Sequence, residues 1–105
     1  MKINYTVKKM TVKPSTKEHI EKKIEKLEKF FSDEADVLVM LRLENSERAI
    51  AELTIRDKGT VFRAEDTQAD LIDAFDNAFD TVIRKIRKQK TKLRQSRFHK
   101  KPYLL

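Results

Sequence analysis

A chain of 105 residues, 39% apolar and 39% charged, is long enough for one domain with a single modest core and too short for two. It holds no cysteine, which excludes disulfides and thiolate metal sites and fits a reducing compartment. The net charge of +7 is a property of one end, because residues 1–80 carry 14 basic and 17 acidic side chains whereas residues 81–105 carry ten basic and no acidic ones. Such a block points to a polyanionic partner: nucleic acid, an anionic membrane or an acidic protein.

The N-terminal MKINYTVKKM has no continuous apolar run of the kind a signal peptide or membrane span needs, so a soluble, cytoplasmic protein is expected. Within it Ile3, Tyr5 and Val7 alternate with Lys2, Asn4, Thr6 and Lys8, the period of a half-buried strand. Pro14 to Glu18 predicts a helix start, with Ser15 and Glu18 placed to cap the first turn reciprocally. Ile20, Ile24, Leu27 and Phe31 then recur at helical spacing, so this helix buries one stripe. Of its charged neighbours four apart, Glu18 and Lys22 attract while Glu21 and Glu25 repel.

A polar connection from Asp33 to Asp36 leads into VLVMLRL, residues 37–43, which suits a central strand. After a turn at Asn45-Ser46-Glu47, the residues Ala49, Ala51, Leu53 and Ile55 alternate with Ile50, Glu52, Thr54 and Arg56, predicting a strand with one wetter face. Asp57-Lys58-Gly59 reads as a hairpin loop, its glycine available for positive φ, and Thr60 to Glu65 as the next strand. Three strands joined by tight turns form an antiparallel meander. The first strand, separated from them by a helix, can pair in parallel.

From Asp70 onward Leu71, Phe75, Ala78, Val82, Ile86 and Leu93 share one face, widened by Ile72, Phe79 and Ile83, and Thr67 with Asp70 resembles a capping box. Carried to about Gln95, this helix is roughly 40 Å long. A typical strand spans roughly 17–20 Å, so the basic end of the helix should project past the sheet or run along its edge.

That end reads RKIRKQKTKLRQSRFHKK, Arg84 to Lys101. Acids at the start of the helix (Asp70, Asp73, Asp76, Asp80) and bases at its end complement the helix dipole, but that effect reaches only about one turn. Cations spread over three turns place Arg84 beside Lys88 and Lys88 beside Lys92, which costs the isolated helix stability. With Val82, Ile86, Gln89 and Leu93 facing inward, Arg84 and Lys88 point away from the core and Lys85, Arg87, Lys92 and Arg94 flank them. An interfacial membrane helix would need an exposed apolar face, and here that face is committed to the sheet. Phosphates remain: arginine meets them as a bidentate fork and lysine as a point charge, fixing position more than reading sequence. Structured RNA is recognised largely in that way.

Catalytic and metal signals are weak. His19 and His99 have no partner at ligand spacing and read as surface histidines; Gly59 alone makes no phosphate-cradling loop. Asp73, Asp76 and Asp80 could hold a cation, but helical spacing suits a solvated face better. Phe30, Phe62, Phe75 and Phe79 read as core, leaving Phe98 as an aromatic in a basic setting. Neither an enzyme nor a cofactor is expected.

The order strand, helix, three strands, long basic helix resembles the ribosome hibernation-promoting factor and ribosome-associated inhibitor family. The resemblance runs from Met1 to about Gln95 and is carried by KLEKFF (residues 26–31), FRAED (62–66), Asp70-Leu71, Ala74-Phe75-Asp76, and the later Arg84, Lys88 and Lys92. It implies an α+β fold, βαβββα, with a four-stranded mixed sheet, both helices on one face, and a shape related to double-stranded-RNA-binding domains. It also implies a ribosome-binding domain at 1–95, with 96–105 a basic tail or the start of a linker. The site it implies is the channel for messenger and the A- and P-site tRNAs on the small ribosomal subunit, where the bound domain, monomeric off the ribosome, would block translation. The family's basic positions carry over onto Arg84, Lys88 and Lys92. The helical wheel adds Lys85, Arg87, Lys90 and Arg94, and the first helix contributes a weaker set, Lys22, Lys23, Lys26 and Lys29, interleaved with glutamates. The family usually has an aromatic residue where Ile72 stands and a lysine where Thr81 stands. Its long members carry a further C-terminal domain that pairs ribosomes.

Two other readings fit the same residues. One is a general RNA-binding domain, or a regulatory module that docks the basic helix on an acidic protein; the other is an adaptor that binds through the open sheet face, with Ile50 as an apolar contact.

Overall fold

The computed structural model describes residues 1–100, with side chains through Gln89. Its elements follow the order β1 (Lys2–Lys8), α1 (Pro14–Glu25), a single 3₁₀ turn (Glu28–Phe30), β2 (Asp36–Asn45), β3 (Arg48–Asp57), β4 (Thr60–Gln68) and α2 (Leu71–Lys100). The strands form one sheet in sequence order. β1 pairs in parallel with β2, setting Ile3 beside Val37 and Tyr5 beside Val39, and β2–β3–β4 is an antiparallel meander. The expected α+β, βαβββα architecture is therefore present.

Alternation along the strands decides which face is covered. Val37, Val39 and Leu41 of β2, Ala51, Leu53 and Ile55 of β3 and Ala64 of β4 join Ile20, Ile24 and Leu27 and the α2 residues Ala74, Phe75, Ala78, Phe79, Val82 and Ile86 in one buried cluster. Both helices thus lie on one face. Phe75 is fully buried at its centre, and truncating such a side chain to alanine typically costs about 3–5 kcal/mol. Phe30 and Phe62 are half-buried rather than core, packed against the cluster's margin, with Phe31 and Phe62 edge-to-face at 5.9 Å.

Several local expectations change. Pro14 occupies the first turn of α1, where its fixed φ suits a helix start, and Lys13, extended and without a capping side-chain bond, precedes it. Ser15 therefore falls inside the helix and cannot cap it. α1 ends at Glu25, and the chain tightens through the 3₁₀ turn instead of running on to Phe31. Thr67 belongs to β4, opposite Ile50, so Asp70 caps α2 without it, accepting from the Ile72 N–H at 2.8 Å.

The β3–β4 connection is a two-residue turn, Lys58-Gly59, with φ of 50° and 81°. Two successive positive φ values match the right-handed twist of the strands.

Toward the far end of α2 the core runs out. Ile86 is buried, whereas Gln89, expected to face inward, is exposed. On the open sheet face Ile50 is only 4% exposed, aligned between Arg42 and Thr67 of the adjacent strands. Ile50 therefore does not offer the apolar contact to a partner that the adaptor reading expects of it.

Candidate nucleic-acid interface

The periodicity that buries Phe79, Val82 and Ile86 forces the residues between them outward. Arg84, Lys85, Arg87 and Lys88 are all exposed on α2. Lys90, Lys92 and Arg94 lie on the same helix, and their side chains fall outside the described residues. Acids on α2 stop at Asp80. As a result none of the five ion pairs within 4.0 Å found among the described residues involves Arg84, Lys85, Arg87 or Lys88.

These four cations are not equivalent. Lys85 Nζ donates to the Arg63 carbonyl at 2.6 Å, tying α2 to the outer edge of β4. An edge strand presents unpaired carbonyls, and Lys85 takes up one of them. Arg84 is oriented by Thr81: one guanidinium nitrogen donates to Thr81 Oγ1 at 3.0 Å, and that hydroxyl donates to the Asn77 carbonyl at 3.0 Å. Arg87 and Lys88 make no protein contact of this kind among the described residues and project directly into solvent.

The first-helix set is largely occupied. Lys22 Nζ pairs with Glu18 at 3.1 Å. Lys23 Nζ reaches Asp76 at 3.1 Å and stands 5.3 Å from the Phe79 ring centroid. Lys29, in the 3₁₀ turn rather than α1, lies 5.2 Å from the Phe30 centroid, a cation–π distance. Lys26 is the exposed residue that caps the end of α1. Helix α2, rather than α1, presents the available positive charge.

Two groups that composition did not single out shape this surface. His19 Nε2 is 2.8 Å from Asp76 Oδ1, so a histidine read as solitary joins the two helices. Burial, the largest single influence on the Asp76 carboxyl, pushes its pKa up, but the His19 and Lys23 hydrogen bonds and charges together outweigh it and hold the group below its ordinary value. Asp76 is thereby committed to protein contacts. No group of three His, Cys, Asp or Glu able to hold a metal occurs among the described residues. The second feature is a groove of about 650 Å³ between α2 and β4 that includes Asp66, Asn77, Asp80, Thr81, Arg84 and Arg87. Asp66 was legible as part of FRAED, but only strand pairing shows it on the helix side, opposite Ala51.

Similarity to known proteins bears on the same residues. Residues 3–94 match the family described as sigma 54 modulation protein / S30EA ribosomal protein. The chain is 38% identical over 95 residues to a ribosome hibernation promotion factor of Bacillus subtilis, the match covering 87% of this chain and 50% of that protein. It is 34% identical over 95 residues to the protein of the same name from Lactococcus lactis subsp. cremoris, covering 89% and 51% respectively. The chain thus spans about half the length of these relatives. Among solved structures it is similar to the N-terminal domain of Protein Y from Thermus thermophilus, with a TM-score of 0.72 and 26% identity over 84% of this chain and 98% of that one.

Proposed function

This chain belongs to the sigma 54 modulation protein / S30EA ribosomal protein family, and from that premise we propose that it binds the small ribosomal subunit and holds ribosomes idle by occupying the channel of messenger and of the A- and P-site tRNAs. The act is steric and involves no turnover. What supports it most is the exposed α2 surface, where Arg84, Arg87 and Lys88 stand without a carboxylate partner. Cations that no carboxylate neutralises remain available to phosphate, and phosphate contacts supply most of the sequence-independent affinity for nucleic acid. Lys90, Lys92 and Arg94 extend the same surface in this reading, and Lys26 adds a lesser contact from the end of α1. No helix among the described residues is long and apolar enough to cross a membrane.

Competition tests the proposal. Small subunits preloaded with messenger and tRNA should exclude the protein, and subunits preloaded with the protein should exclude tRNA. Simultaneous binding of both would rule out channel occupation.

A further inference from the structure

The groove between α2 and β4 mixes donors and acceptors in an order that phosphate binding alone does not explain. Along one stripe of α2, Asn77, Asp80, Thr81, Arg84 and Arg87 follow at helical spacing, with Asp66 of β4 alongside. Asn77 Nδ2 donates to Asp66 Oδ2 at 3.1 Å, and Gln68 Nε2 donates to the same oxygen at 3.0 Å. Both contacts fall on Oδ2, so Oδ1 keeps its accepting capacity. The Asp80 side chain is exposed and makes no ion pair or hydrogen bond among the described residues. Neither carboxylate is within 4.0 Å of Arg84 or Arg87, although all four line one groove.

A carboxylate beside a phosphate site repels the phosphate, so two of them weaken a surface that serves phosphate only. They become favourable where the ligand carries a hydrogen-bond donor next to its phosphate, because an ionised carboxylate can only accept. RNA has that donor in every ribose. Its wide, shallow minor groove displays 2′-hydroxyls beside the backbone, and this hydroxyl is what separates RNA from DNA. From Asp80 to Arg87 the helix rises roughly 10 Å, enough to spread acceptor and donor ends over neighbouring parts of one strand.

We propose that the α2–β4 groove is a ribose-reading site, in which Arg84 and Arg87 take phosphate oxygens while Asp80, assisted by Asp66, accepts a hydrogen bond from a ribose 2′-hydroxyl and so selects RNA over DNA. This rests on the RNA-binding role proposed above and adds a determinant that charge alone does not supply. Thr81 has a positioning part, since its hydroxyl holds the Arg84 guanidinium on the groove side.

Affinities for a short RNA duplex and for the DNA duplex of the same sequence, measured for the full chain and for Asp80→Ala, decide the matter. The unsubstituted chain should prefer RNA. Asp80→Ala should bind RNA about tenfold more weakly, the loss of a charge-assisted hydrogen bond, and bind DNA more tightly, since a repulsive charge is gone. Opposite signs are the diagnostic. Equal affinity of the unsubstituted chain for the two duplexes, or a rise in both affinities on Asp80→Ala, would overturn the inference while leaving subunit binding standing. Failure of the unsubstituted chain to bind small subunits would instead overturn the proposed function, and this inference with it.

Discussion

Asp76 Oδ1 serves two partners on the facing helix at once, His19 Nε2 at 2.8 Å and Lys23 Nζ at 3.1 Å. The three side chains are partly shielded, with relative exposures of 36% for His19, 23% for Lys23 and 28% for Asp76. This oxygen clamps α1 to the first half of α2, alongside the core. Replacing Asp76 by asparagine should lower stability at neutral pH by roughly 1–2 kcal/mol, toward the low end for hydrogen bonds to charged groups because these side chains are partly exposed. The pH dependence has a defined sign. Because the folded Asp76 carboxyl titrates below its ordinary value, its contribution is present above the unfolded aspartate pKa of about 4 and is lost as pH falls through the lower folded value. Urea unfolding at neutral and acid pH should show the gap between the two proteins closing on acidification.

The β3–β4 turn allows a stabilising change. Lys58 holds φ of 50° and Gly59 a φ of 81°, and asparagine adopts the left-handed region more readily than lysine. Lys58→Asn should stabilise the fold by about 0.5–1 kcal/mol, read as a higher urea midpoint with an unchanged slope. Gly59→Ala should destabilise by about 1 kcal/mol or more. Since nothing lies within 4 Å of an added Cβ there, that loss would be due to the backbone alone.

Lysines and arginines that look alike in sequence should separate by assay. Lys23 is held by Asp76 and Lys85 by the Arg63 carbonyl, whereas Arg87 and Lys88 are exposed on α2. Alanine at Arg87 or Lys88 should weaken small-subunit binding several-fold while changing stability by less than about 0.5 kcal/mol, as expected for exposed surface positions. Alanine at Lys23 should do the reverse. Paired co-sedimentation and urea unfolding of the three variants provides the comparison.

Hydrophobic period made most of the fold legible. The apolar run over residues 37–43 located one central strand, alternation over 49–56 located a second and the face it buries, and the stripe from Leu71 to Ile86 located α2 and, by exclusion, its outward cations. Capping was read less well, because Ser15 and Thr67 carry the right chemistry at plausible spacing while the backbone gives their places to Pro14 at a helix start and to a strand residue paired with Ile50. Side-chain pairings between elements distant in sequence were not legible. Nothing in the spacing of His19 and Asp76, 57 residues apart, or of Lys85 and Arg63, shows that they meet; these pairings follow from how α2 lies across α1 and β4. The same holds for Thr81. Its helical spacing carries no sign of the role, and only its hydroxyl geometry shows that it orients Arg84.

The central claim is that α2 grips RNA phosphates with cations that no carboxylate among the described residues pairs. The slope of log affinity for small subunits against log salt measures the number of such contacts directly. A steep slope is expected, falling by about one for each of Arg84, Arg87 and Lys88 replaced by alanine. A shallow slope that the three substitutions leave unchanged would contradict phosphate anchoring by this helix.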